Sequence, residues 1–146
     1  MTLRELLKQD ELRVVEVVAG ADGLERTISG TVMFDNPEMV NWMRAGEIML
    51  TAGYFLLDDP AKQEKVLRDL ADNGSGGLII KMKRYFYEIP ANMLRLADEL
   101  HFPLMRIPYH TSLSEISEAV SKYVYGINEE QALQMVYQAM FDVLQG

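Results

Sequence analysis

The sequence predicts an α/β domain: a mainly parallel sheet covered by helices, with a carboxyl-terminal extension helix. Three observations carry this expectation. Compact apolar runs recur at 47–51, 77–81 and 104–107, and read as strands buried on both faces. Between them, apolar residues three and four positions apart mark amphipathic helices. The connections are short and punctuated by proline, glycine and capping side chains, which leaves an alternation of strand and helix.

Taken in order, Thr2-Leu3-Arg4-Glu5 has the spacing of a capping box, and Leu3, Leu6 and Leu7 give its helix one apolar stripe. Val14 to Val18 is rich in β-branched residues and reads as a strand, followed by a turn from Gly20 to Gly23. Thr27 to Phe34 reads as a second strand. Asn36-Pro37-Glu38 then starts a short helix with a cap, a first-position proline and an early acid. Glu47 to Thr51 is the next strand. Asp59-Pro60 opens a helix with Val66, Leu67, Leu70 and Ala71 inward, closed at Gly74. Gly77 to Lys81 is a strand, and Pro90 opens a helix that buries Met93, Leu94, Ala97 and Leu100. Leu104 to Ile107 is the last strand. Ser112-Leu113-Ser114-Glu115 is a second capping box, ahead of an inner stripe of Ile116, Ala119, Val120, Tyr123 and Val124. The order of the strands cannot be read from these signals.

The closing segment is predicted as one more helix, capped at Asn128, with Leu133, Val136, Tyr137, Met140, Phe141 and Leu144 at helical spacing. The expected division is a domain over 1–126 and a connector or dimerisation helix over 127–146. That helix either packs on its own domain or meets another chain or a further domain. An apolar stripe running to the last residues is expected where a longer protein continues.

Composition narrows the function classes. Hydrophobic residues are 49% of the 146, enough for a core, and 25% charged residues are ordinary for a globular chain. The absence of cysteine excludes disulfides, thiolate metal sites and a cysteine nucleophile. The charged start does not read as a signal peptide and no run of about 18 apolar residues occurs, so a soluble, cytoplasmic location without a membrane partner is expected. The net charge of −8 opposes nucleic-acid binding by this chain itself. Residues 61–110 are the exception, with 8 basic and 6 acidic side chains, and Lys81, Lys83 and Arg84 are their densest cluster.

Catalytic motifs are missing. His101 and His110 lack metal-ligand spacing, and neither a Gly-x-Ser-x-Gly elbow nor a P-loop is present. The Gly74-Ser75-Gly76-Gly77 run follows a helix and precedes a strand, so it reads as a helix stop and turn. Glu47 stands between Gly46 and an apolar strand, either as a site carboxylate or simply bonded to backbone. No catalytic residue, metal ligand or cofactor is predicted. A positional argument remains: parallel sheets bind ligands beyond the carboxyl ends of their strands, where helix amino termini also point. Those ends are Thr51-Ala52-Gly53-Tyr54, Lys81 through Tyr85, and Tyr109-His110-Thr111-Ser112. The candidate ligand-binding residues are therefore Glu47, Thr51, Gly53, Tyr54, Lys81, Arg84, Tyr85 and His110, suited to a small planar or anionic metabolite.

An ordered set of stretches resembles the PucR amino-terminal domain, the sensory part of a family of bacterial transcriptional regulators of purine catabolism. The set runs from Thr2-Leu3-Arg4-Glu5-Leu6-Leu7 and Val18-Ala19-Gly20 to Trp42-Met43-Arg44-Ala45-Gly46-Glu47-Ile48-Met49-Leu50-Thr51-Ala52-Gly53, its most specific part. It continues through Gly77-Leu78-Ile79-Ile80-Lys81, Arg84-Tyr85, Glu88-Ile89-Pro90, Ala97-Asp98-Glu99-Leu100 and Phe102-Pro103-Leu104. This chain departs from the family at Ala52, where a second threonine is usual, and near Lys83, where a glycine is usual. The resemblance implies a non-enzymatic domain that senses a small effector of purine-related chemistry, and the apolar stripe from Leu133 to Leu144 points to a homodimer. It also implies that DNA is bound only through a carboxyl-terminal helix-turn-helix domain outside this chain. The domain is similar, too, to the amino-terminal domains of Mur ligases, which hold a nucleotide-sugar. The alternative function is a ligand-free dimerisation or protein-interaction module.

Overall fold

A computed structural model describes residues 1–33, 36–126 and 129–145. Its centre is a five-stranded sheet of β1 (Glu16–Ala19), β2 (Gly30–Met33), β3 (Glu47–Thr51), β4 (Gly77–Lys81) and β5 (Leu104–Ile107). The strand order is β1-β5-β4-β3-β2. Strands β2 to β5 are parallel in chain order, and β1 pairs antiparallel with β5 at one edge, with a bulge between Val17 and Ala19. The helices are α1 (Leu3–Leu6), α2 (Pro60–Asp72), α3 (Ala91–Glu99), α4 (Leu113–Tyr125) and α5 (Glu129–Gln145).

Alternation along the strands builds two cores. Met49, Leu78, Ile80 and Leu104 face one side, where α2 contributes Val66, Leu67 and Leu70 and α3 contributes Met93, Leu96 and Ala97. Ile48, Leu50, Ile79, Met105 and Ile107 face the other, beneath Leu3 and Leu6 of α1, Leu12, and Ile116, Ala119 and Val120 of α4. The central strands are buried on both faces, as their continuous apolar runs imply. Met49, Met93 and Met105 are fully buried and fill core space.

The expected elements form, with revised edges. Strand β1 begins at Glu16, because a 3₁₀ turn over Asp10–Leu12 precedes it and leaves Val14 exposed. Strand β2 is shorter than expected: Thr27 makes only an isolated bridge to Thr2, and Phe34 lies outside the described residues. The segment Pro37–Trp42, with Asn36 as its cap, is a 3₁₀ helix. Both predicted capping boxes place a hydroxyl on the expected amide, Thr2 on Glu5 and Ser112 on Glu115. Gly74 (φ 73°) stops α2, and buried Ser75 donates to the Glu47 carbonyl at 2.7 Å, so the glycine run is a turn.

Candidate functional site

The parallel strands place their carboxyl ends together on one rim of the sheet, and α2, α3 and α4 begin beyond that rim. Strand β3 leads into Thr51, which is buried and accepts the Gly53 amide at 2.9 Å through Oγ1. Gly53 then turns at φ 87°, and a Cβ there would lie 2.6 Å from the Phe86 ring, so only glycine fits. The turn presents Tyr54 outward, 64% exposed.

Strand β4 delivers Lys81, Arg84 and Tyr85. Lys83 holds a left-handed φ of 67° and its amide donates to the Phe86 carbonyl at 2.7 Å, which closes the turn that aims Arg84 and Tyr85. The Tyr54 and Tyr85 rings sit 5.0 Å apart, tilted by 59°. The Arg84 guanidinium lies 5.7 Å from the Tyr85 ring centre. From β5, Tyr109 receives the Lys81 ammonium at 5.3 Å over its ring. The hydroxyls of Tyr85 and Tyr109 beside Arg84 raise its pKa further. Tyr54, Tyr85 and Arg84 therefore form one run of contacts and Lys81 and Tyr109 another, drawn from three strand ends.

Not every predicted residue joins it. Glu47 stands at the opposite, amino end of β3, about 13 Å from Thr51 at strand rise, and its carboxylate accepts the Arg44 amide. His110 is exposed in the turn after β5, next to the cluster. Thr51 and Gly53 shape the turn from within. Tyr109, at the β5 end, is not among the sequence candidates, because a tyrosine after a strand carries no signal until Lys81 lies across its face. The second histidine, His101, is exposed at the end of α3 and its Nδ1 pairs with Asp22.

The patch is open, and a topological reason accounts for it. A ligand crevice arises where strand order reverses, whereas β2 to β5 follow one another in sequence. Two concavities are lined by other residues. One of about 400 Å³ lies along α2, beside Asp59, Lys62 and Val66. Another of about 460 Å³ lies along α4, beside Glu11, Val14, Thr111 and Lys122. Among the described residues no group of acidic and histidine side chains could hold a metal ion, and no helix is long and apolar enough to cross a membrane.

Comparison with known proteins places this geometry. The model of the purine catabolism regulatory protein-like family, PucR, matches residues 5–124. The chain belongs to this family. The match to PucR covers the sheet, the strand-end patch and all but the last residue of α4. The purine catabolism regulatory protein of Bacillus subtilis (strain 168) is 30% identical over 137 residues, 94% of this chain. The chain spans 26% of the length of that relative. Among solved structures, the CBS and DRTGG domains of the regulatory region of Clostridium perfringens pyrophosphatase, complexed with the activator diadenosine tetraphosphate, are similar in fold. The TM-score is 0.53 at 15% identity, over 82% of this chain and 46% of that one. Against the PucR pattern, Lys83 occupies a left-handed conformation near the position where the family usually carries glycine.

Proposed function

We propose that this chain is the ligand-sensing domain of a PucR-type transcriptional regulator, located in the cytoplasm and without catalytic activity of its own. The observation that carries this is the convergence of Tyr54, Lys81, Arg84, Tyr85 and Tyr109 from three strand ends into one aromatic and cationic patch. Ring faces suit a flat metabolite, and cations suit an anionic one; the family name favours purine-related chemistry. That the structurally similar pyrophosphatase region is described with an activator bound supports a regulatory use of this fold. DNA binding belongs to another part of the whole regulator, since this chain carries a net charge of −8.

Helix α4 links site to output. It starts at the Ser112 cap, directly after the Tyr109 turn, and ends at Gly126, whose left-handed φ of 71° precedes α5. A ligand that binds one placement of this turn better than another shifts the α4–α5 arrangement by its differential affinity. Thermal unfolding with a panel of purine bases, their ring-opened products and nucleotides tests the reading. At least one is expected to raise the melting temperature in proportion to log concentration above its Kd. A panel without any shift would sink it.

A second reading, a dimerisation module, is favoured by α5. Val136, Tyr137, Met140, Phe141, Val143 and Leu144 are each more than half exposed. The two readings are compatible, because a sensor can act through a dimer contact.

A further inference from the structure

The cations of the patch are uncommitted. Lys81 and Arg84 make no ion pair with a carboxylate among the described residues, in a chain where acids outnumber bases 22 to 14. Each lies against a tyrosine ring of the same rim, Lys81 over Tyr109 and Arg84 over Tyr85. Like charges three residues apart at one strand end repel each other, and an anion seated between them removes that repulsion. Above them, Tyr54 is 64% exposed and meets Tyr85 at 59°, so it retains an open face for one ring rather than a closed slot for two.

The same rim is poorly equipped for a polyphosphate. Such a group is normally held by several backbone amides at a helix amino terminus or a glycine-rich loop. Here the Asp59 carboxylate occupies the first turn of α2, accepting the Lys62 amide at 3.1 Å. The Ser112 hydroxyl occupies that of α4, accepting the Glu115 amide at 3.0 Å, with the Glu115 carboxylate in the same turn. These two ends are capped from within, and α3 opens without a side-chain cap on Pro90, whose ring nitrogen has no N–H to donate.

We infer that the patch selects a small flat ligand with a single anionic group, its ring against Tyr54 and its charge between Lys81 and Arg84, and discriminates against nucleoside di- and triphosphates. The inference rests on the sensor reading above but is narrower. Isothermal titration of the chain with urate and orotate (flat monoanions), hypoxanthine (flat and neutral) and ADP tests it. At least one monoanion is expected to bind about tenfold or more tighter than hypoxanthine and than ADP, the scale of one charge-assisted hydrogen bond. The preference over hypoxanthine should disappear in the double variant Lys81→Gln/Arg84→Gln, whose melting temperature without ligand confirms that it still folds. ADP binding equal to or tighter than the monoanions overturns the selectivity but leaves a ligand-sensing patch. Monoanion binding that survives in the double variant overturns the seat assigned to the charge. Failure of all four probes overturns the inference and weighs against the sensor reading itself.

Discussion

Lys83 is the residue where local chemistry and global need disagree. Its left-handed backbone (φ 67°) costs a side chain with Cβ about 1–2 kcal/mol, part of which glycine would forfeit through its freer unfolded chain. Lys83→Gly is therefore expected to stabilise the domain by roughly 0.5–1 kcal/mol, read as a higher urea midpoint at unchanged m-value. Loss of stability would show that the Lys83 side chain, not the turn, matters there. The patch itself was partly legible at this scale. Tyrosines and cations after strands could be named from the sequence, but their contacts could not. Lys81 meets Tyr109, 28 positions on, only because β4 and β5 are adjacent and parallel. Glu47 and Thr51 stand at opposite ends of one strand, a separation already readable in the five-residue apolar run.

At the scale of elements, α4 is held at its far end by polar latches. The Tyr123 hydroxyl and Lys122 ammonium both donate to Glu11, and the Tyr125 hydroxyl donates to the Ser29 carbonyl. Donation by Tyr123, then Lys122, lowers the Glu11 pKa from 4.5 to about 2. A carboxyl depressed in the folded state contributes stability at pH values above its unfolded pKa, and that contribution fades as pH falls through the folded one. The stability difference between the chain and Glu11→Gln should thus be constant above pH 5 and shrink between about pH 4.5 and 2. Chemical unfolding at several pH values checks this, and a difference that does not change with acid would remove Glu11 as the latch. Capping boxes and stripes located α1, α2, α3 and α4 in the sequence because helix signals lie within one or two turns. Strand edges were less legible. Thr27 has the composition of β2, but its backbone is taken by the Thr2 bridge.

At the scale of the whole molecule, neither core includes a described side chain of α5. Residues 1–126 therefore keep both apolar layers, and α5 keeps an apolar stripe of side chains more than half exposed. The expected cap Asn128 lies outside the described residues, as does the side chain of Leu133. Six such side chains at roughly 100 Å² or more each offer on the order of 600–800 Å², close to one partner's share of a standard interface. Sedimentation of the chain is expected to show a concentration-dependent dimer, and of residues 1–126 a monomer. Two monomeric species would exclude α5 as a dimerisation helix.

Legible in the chain alone were the α/β class, the helix starts, the lack of catalytic motifs and the three strand ends where we propose a ligand. All of these depend on periodicities and caps that act over a few residues. The strand order and the antiparallel edge of β1 came only with the packed fold. So did the meeting of Lys81 with Tyr109 and of Tyr54 with Tyr85. Those depend on which strands lie side by side, and pairing between distant segments leaves no mark in either segment alone.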